Sequence, residues 1–164
     1  MTVILTTSPG FGKHGRVTQR LAELGWELIR CTDTSRPDGG MAGHVGRADY
    51  LVVGLVPVTA AALEGAVRLK GVLKHGVGVD NIDIGEAARR GIPVLVATGA
   101  NAVSVAEHAI ALMLAVTKRL LPLDRGLREG RWEKPGFKGR ELAGSTLGLV
   151  AFGAIARQTA RFAR

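Results

Sequence analysis

Gly71-Val72-Leu73-Lys74-His75-Gly76-Val77-Gly78-Val79-Asp80-Asn81-Ile82-Asp83 decides how the chain is read. Its first five residues are a short run suited to a buried strand, and two glycines flanking one valine then turn the chain. A helix is predicted over 84–90, closed by Gly91, because glycine accepts the left-handed conformation that ends helices. Residues 92–96, entered through Pro93, form the next strand. Strand, loop, helix and strand in this order make a βαβ unit, whose strands run parallel.

The same alternation extends outward. Upstream, strands are predicted over 2–7, 26–31 and 50–56. Helices are predicted over 12–24 and 60–67, with a turn at Ser8-Pro9-Gly10, a polar loop over 32–40 and a weak helix over 41–47. Val17, Leu21 and Leu24 sit at helical spacing, and Gly25 ends that helix. The strand over 50–56 is nearly all apolar, which marks a central strand covered on both faces. Five such steps predict a flavodoxin-like parallel α/β layer. Downstream, Ser104 and Glu107 have the spacing of a capping box at the head of a strongly apolar helix over 105–121. Val105, Ala109, Leu112, Met113 and Val116 form its predicted apolar face. Pro122 breaks or kinks it. A shorter helix over 123–130 leads to a polar loop over 131–143 that carries Trp132, Pro135 and Phe137. The domain boundary is expected near 98–101, giving domains 1–100 and 101–164.

Thr146-Leu147-Gly148-Leu149-Val150 reads as a further buried strand, and Ala151-Phe152-Gly153-Ala154-Ile155-Ala156 as a glycine turn opening a helix. This is the entry to a dinucleotide-binding unit with alanine in two of the three glycine slots of G-x-G-x-x-G. Gly153 fills the slot where backbone approaches a pyrophosphate at a helix start. Alanine is tolerated in the third slot, at Ala156. In the first slot, Ala151 is at odds with a positive φ. No glycine cap, proline stop or further strand follows. That pattern is expected of a chain that ends inside its cofactor-binding domain, as a partial gene product or a naturally shortened relative would.

Composition narrows the function classes. The 164 residues are 46% hydrophobic, a folded globular value. No apolar stretch reaches the roughly 18 residues of a membrane span, and the first residues lack a basic leader. A cytoplasmic protein with no membrane partner is therefore expected. Cys31 is the only cysteine, so it is read as a small buried hydrophobe at a strand end, and no metal site is expected. The net charge is +8, but the basic residues are scattered and aromatics are 4%, so nucleic acid is not the expected partner.

Two stretches carry candidate chemistry. The glycines around Val77 let backbone N–H groups converge on a carboxylate or phosphate, with Lys74 adding positive charge. Taken alone, the stretch reads more simply as a tight turn in which Asp80 or Asn81 makes a local bond, and only the rest of the chain favours the anion reading. Asn101 follows the fifth strand, so its amide is placed to reach the same sheet edge. His108, one turn into the long helix, reads as a packing or interface residue.

Four ordered blocks carry a resemblance: Lys74 to Asp83, Asn101-Ala102-Val103-Ser104-Val105-Ala106-Glu107-His108, Trp132, and Gly139-Arg140-Glu141-Leu142-Ala143-Gly144-Ser145-Thr146-Leu147-Gly148 before the glycine turn. Together they resemble the D-isomer-specific 2-hydroxyacid dehydrogenases, nearest the phosphoglycerate dehydrogenase-like branch, over essentially the whole chain. The resemblance implies a substrate domain followed by the start of a Rossmann NAD-binding domain. It implies hydride exchange between NAD, or NADP, and a D-2-hydroxyacid or 2-oxoacid. Lys74, Val77, Gly78 and Asn101 become substrate-binding residues, with the amides of Val77 and Gly78 on the substrate carboxylate. Val105 packs near the nicotinamide, and Gly153, Ala154 and Ile155 cradle the pyrophosphate. The family's catalytic arginine, glutamate and histidine, and its ribose-reading acid, are expected beyond Arg164. No catalytic residue is therefore expected here, since His14, His44, His75 and His108 stand elsewhere. A homodimer is expected, because family members commonly pair through the cofactor domain. The 164 residues alone are expected to be inactive. The alternative is a non-catalytic module for anion or 2-oxoacid binding or for dimerisation.

Overall fold

The computed structural model describes residues 1–13, 15–33, 35–132 and 136–164; His14 and Pro135 lie outside the described residues. The chain divides into two compact units, Met1–Thr98 and Gly99–Arg164.

In the first unit, β1 (Val3–Thr6), β2 (Glu27–Arg30), β3 (Tyr50–Val53), β4 (Gly71–Lys74) and β5 (Val94–Val96) form one sheet. Its order is β2-β1-β3-β4-β5 and every pairing is parallel. This is the flavodoxin-like order, with β3 in the middle as its apolar run predicts. Successive side chains point to opposite faces. Leu5, Leu51, Val53 and Val72 pack on one side with Leu63 of α2 (Ala60–Glu64) and Ala87 of α3 (Ile84–Arg89). Ile4 and Val52 pack on the other with Leu21 of α1 (Arg16–Glu23). Buried Cys31 follows β2, and burial, first of all, raises its thiol pKa.

Glycine and polar caps set the helix ends. Gly25 and Gly91 take φ of 64° and 67° after α1 and α3. The side chains of Thr59 and Asp83 accept N–H bonds from Ala62 and Glu86 at the starts of α2 and α3. Two elements differ from expectation. Of the three spaced apolar residues of α1, only Leu21 is buried, while Val17 and Leu24 are exposed. Positive φ at Gly12 and Gly15 delays the helix to Arg16, so only a short stretch of it lies on the sheet. Residues 41–47 form two 3₁₀ turns, Met41–Gly43 and Val45–Arg47, because Gly43 and Gly46 weaken a continuous helix.

At the amino edge of the sheet, the buried carboxylate of Asp49 accepts the Val3 N–H at 2.9 Å and pairs with Lys70 at 3.1 Å and Arg68 at 3.4 Å. The Val3 hydrogen bond, then Lys70, lowers its pKa to about 2. This group ties the start of β1 to the start of β3.

The second unit contains α4 (Ala102–Thr117), α5 (Leu120–Arg128) and α6 (Ala154–Phe162). The expected capping box does not form. The Ala102 N–H already bonds to the Gly99 carbonyl, Asn101 is the N-cap, and Ser104 is the third helical residue. Ala102 and Ala106 are the buried positions of α4, whereas Val105, Leu112 and Val116 are exposed. A helix apolar all round gives periodicity no face to select. The break before α5 falls at Arg119, whose φ is 52°, rather than at Pro122. Pro122 instead occupies the first turn of α5, where its missing N–H costs no helical bond. Residues 146–150 pair with no neighbouring strand among the described residues, and Val150 is fully exposed. The helical half of that βα unit forms as α6. Among the described residues, no helix is long and apolar enough to cross a membrane.

Candidate functional site

Parallel strands deliver their carboxyl ends to one edge, where ligands of open α/β sheets collect. Here that edge carries an unusually polar set of residues. Thr6, Thr7 and Ser8, at and just beyond the end of β1, are buried. Thr6 Oγ1 donates to the Val52 carbonyl at 3.1 Å and accepts from the Ser8 N–H, and Thr7 Oγ1 accepts from the Gly54 N–H at 3.0 Å. The ends of β1 and β3 are thereby fastened together. A Cβ on Gly54 would stand 2.9 Å from both Ser8 Cα and the Thr7 carbonyl, so only glycine fits between them.

Lys74 ends β4 and is only 8% exposed. Its ammonium donates to the Gly54 carbonyl at 2.7 Å and to Asn81 Oδ1 at 2.6 Å. Asn81 Nδ2 donates in turn to the carbonyls of Gly54 at 3.2 Å and Val56 at 2.8 Å. These acceptors are all neutral, and no carboxylate pairs with Lys74 among the described residues. A buried cation without a counter-ion favours an anion beside it. The Lys74 stem passes within van der Waals reach of Gly76, whose φ of 150° suits glycine alone.

Val77 and Gly78 follow as an exposed loop. Among the described residues their N–H groups, and that of Gly76, donate to no protein acceptor. A Cβ on Gly78 would meet Asp80 Oδ1 at 2.9 Å, so a carboxylate stands close beside Gly78. The Val58–Ile82 bridge, flanked by Val58 N–H to Asn81 carbonyl and Asp83 N–H to Val58 carbonyl bonds, holds the loop's far end. The first unit thus brings Lys74, Val77 and Gly78 into one short stretch.

The sequence reading missed Ser8, Gly54 and Asn81 as parts of this edge. The signal for Ser8 was the polar triplet Thr6-Thr7-Ser8 at the end of an apolar strand. Asn81 was noticed only as a turn former.

In the second unit, Asn101 is exposed, and its side chain makes no hydrogen bond among the described residues. Val105 lies on the first turns of α4, and His108 is exposed on the same helix. Gly153 is the N-cap of α6 in an extended conformation, with no side-chain cap and no acidic residue in the first turn. Ala154 and Ile155 begin the helix, and a Cβ on Gly153 would meet nothing within 4 Å. Ala151 holds a φ of 66°, the left-handed conformation that its place in the glycine pattern calls for. Among the described residues, no group of three His, Cys, Asp or Glu side chains is placed to hold a metal ion.

The family model for the D-isomer-specific 2-hydroxyacid dehydrogenase catalytic domain matches residues 16–161. The chain belongs to this family. Among curated 2-hydroxyacid dehydrogenase relatives, the D-3-phosphoglycerate dehydrogenase of Methanocaldococcus jannaschii is 36% identical over 165 residues, covering 100% of this chain and 30% of its own length. The hydroxypyruvate reductase of Thermotoga maritima is 46% identical over 114 residues, covering 69% of this chain and 37% of its own. Among solved structures, the Aquifex aeolicus D-lactate dehydrogenase complexed with NAD and lactic acid superposes with a TM-score of 0.78 at 25% identity, covering 99% of this chain and 48% of that one. The chain therefore spans about a third of the length of these curated 2-hydroxyacid dehydrogenases.

Proposed function

We propose that the chain supplies the substrate domain, residues 1–100, and the opening of the NAD-binding domain, residues 101–164, of an NAD-dependent D-2-hydroxyacid dehydrogenase of the phosphoglycerate dehydrogenase-like branch. One observation carries this reading. The Lys74 ammonium is buried against neutral oxygens only, and the amides of Val77 and Gly78, on the loop that follows it, donate to no protein acceptor among the described residues. That arrangement suits a carboxylate: two N–H donors orient it, and a nearby cation balances its charge. Val77 and Gly78 are assigned to the acid group of a 2-hydroxyacid or 2-oxoacid, Lys74 to its charge, and Asn101 to substrate binding.

The start of α6 fits one part of a dinucleotide. Its first N–H groups have no intrahelical acceptor, Gly153 leaves its surroundings open, and no acid stands in the first turn to repel phosphate. Gly153, Ala154 and Ile155 are assigned to the pyrophosphate and Val105 to the nicotinamide side. When bound, NAD or NADP would accept or supply the hydride. The residues named here bind and orient, and none of them is a general acid or base. The 164 residues alone are therefore expected to give no turnover. Cytoplasmic location and a homodimer are part of the same proposal.

A second reading is a non-catalytic module that holds a 2-oxoacid, favoured by a first unit with its own sheet and core. Melting curves of the purified chain separate the two. The dehydrogenase reading expects stabilisation by pyruvate, lost in Lys74→Met, and only a weak further stabilisation by NAD, since one βα unit does not complete the cofactor cleft. Response to pyruvate with indifference to NAD favours the module. No response to pyruvate contradicts both, and NADH production from D-lactate contradicts the expected inactivity.

A further inference from the structure

The carboxyl end of β2 opens into a cavity of about 440 Å³ whose walls include Arg30, Thr32, Asp33, Arg36 and His44. It lies on the same edge of the sheet as Lys74, but β2 and β4 stand three strands apart. At about 4.8 Å per strand, roughly 14 Å separates the two strand ends, more than a small acid spans. The cavity is therefore no part of the carboxylate site proposed above.

Arg30 is its fixed donor. Nη1 donates to the Phe11 carbonyl at 2.6 Å and Nη2 to the Gly12 carbonyl at 2.7 Å. A Cβ on Gly12 would crowd that Nη2 at 3.3 Å, so the glycine makes room for the guanidinium. Two bonds to consecutive carbonyls hold a side chain that is otherwise long and free. The rotamer freedom that ligand binding would remove is thus already gone. Both acceptors are neutral, and among the described residues Arg30 pairs with no carboxylate and its Nε–H has no partner.

The other groups divide into free donors and occupied acids. Thr32 is half-buried, and among the described residues its N–H and hydroxyl make no hydrogen bond. His44 is exposed between the two 3₁₀ turns. Asp33 Oδ1 accepts the Ser35 N–H at 2.9 Å and its hydroxyl at 2.6 Å. Asp38 pairs with Arg36 at 3.4 Å and accepts the N–H groups of Gly40 and Ala42. Arg36 is thereby matched by an acid, and Arg30 is the cation left for a ligand.

We propose that this cavity is a ligand site separate from the substrate's: it takes a small oxyanion, a carboxylate or phosphate group, on the guanidinium of Arg30, with Thr32 and His44 as further donors. A planar guanidinium suits the paired oxygens of either group. The inference needs neither NAD nor turnover, and it stands or falls apart from the site at Val77 and Gly78.

The test titrates the 164-residue chain with inorganic phosphate and with malonate at constant ionic strength. The readout is the amide resonance of Thr32, the Nε–H of Arg30 and the ring of His44. Shifts that saturate with one of the two anions are expected, and the tighter anion names the group. Loss of a charge-assisted bond in Arg30→Met weakens binding roughly 10-fold or more. His44→Ala touches no bond of either loop and weakens it roughly 3- to 10-fold, so the test survives if Arg30→Met fails to fold. Shifts that never saturate, the same shifts from chloride, or an affinity that either folded variant leaves unchanged overturns the inference. Shifts confined to the Val77 and Gly78 amides also overturn it and assign the anion to the carboxylate site.

Discussion

Lys74 and Asn81 close a ring of hydrogen bonds on one carbonyl: Lys74 Nζ donates to Asn81 Oδ1 at 2.6 Å, and both side chains donate to the Gly54 oxygen. The ring gives the two residues different duties. Lys74 contributes charge, and Asn81 holds the loop. Replacing Lys74 by Met removes a buried cation, and the Gly54 carbonyl keeps its Asn81 donor. The change is expected to alter unfolding free energy by less than about 1 kcal/mol while abolishing carboxylate binding. Replacing Asn81 by Ala leaves the Val56 carbonyl and the ammonium short of partners and is expected to cost about 1–3 kcal/mol. Urea unfolding of both variants checks the contrast, and a Lys74→Met chain as damaged as Asn81→Ala would contradict it.

Asp49 makes stability depend on acid. Its folded pKa lies near 2, below the ordinary carboxylate value, because it accepts the Val3 N–H and faces Lys70 and Arg68. A depressed pKa means that the contribution is fully present above the unfolded value and is lost as pH falls toward the folded one. Urea midpoints measured from pH 5 down to pH 2 are expected to fall most steeply below about pH 4. Asp49→Asn is expected to be less stable at pH 5 and to show a shallower fall. A slope unchanged by this substitution would assign the acid sensitivity elsewhere.

Gly54 is fixed by contact rather than by conformation. In Gly54→Ala, the new methyl meets two backbone groups at 2.9 Å, neither the end of a flexible side chain. A cost of about 1–3 kcal/mol is expected. Gly148→Ala, where a Cβ meets nothing within 4 Å, serves as the neutral comparison. Thermal unfolding of the two variants should differ clearly. Similar melting temperatures would mean that the ends of β1 and β3 separate at little cost.

Ala151 holds a left-handed φ that costs an L-residue about 1–2 kcal/mol relative to the right-handed region. Ala151→Gly relieves that strain but loosens the unfolded chain, so a net gain of up to about 1 kcal/mol is expected. Hydrogen exchange of the α6 amides measures it locally. Faster exchange in the variant would contradict a strained Ala151.

The parts of the fold visible in the sequence were those set by local chemistry. The apolar run at Tyr50 to Val53, the glycines at 25 and 91, and the alternation of strands and helices needed no distant partner to be read. The cap at Ser104 was misread because the chain winds into α4 earlier, from Gly99. The buried side of α4 was misassigned because alanine at 102 and 106 carries less hydrophobic signal than the valines and leucines left outside. Lys74 stands out in the sequence from its place beside the glycines. Its partners at Gly54 and Asn81, and the Ser8–His75 bond, arise from contacts up to 67 positions apart that no local spacing encodes.

The most direct test of the carboxylate site is a crystal structure of the chain grown with pyruvate. The account predicts the pyruvate carboxylate within about 2.7–3.2 Å of the Val77 and Gly78 nitrogens, the hydrogen-bonding range, on the Lys74 side of the loop. Pyruvate bound elsewhere while those two amides face only water would contradict it.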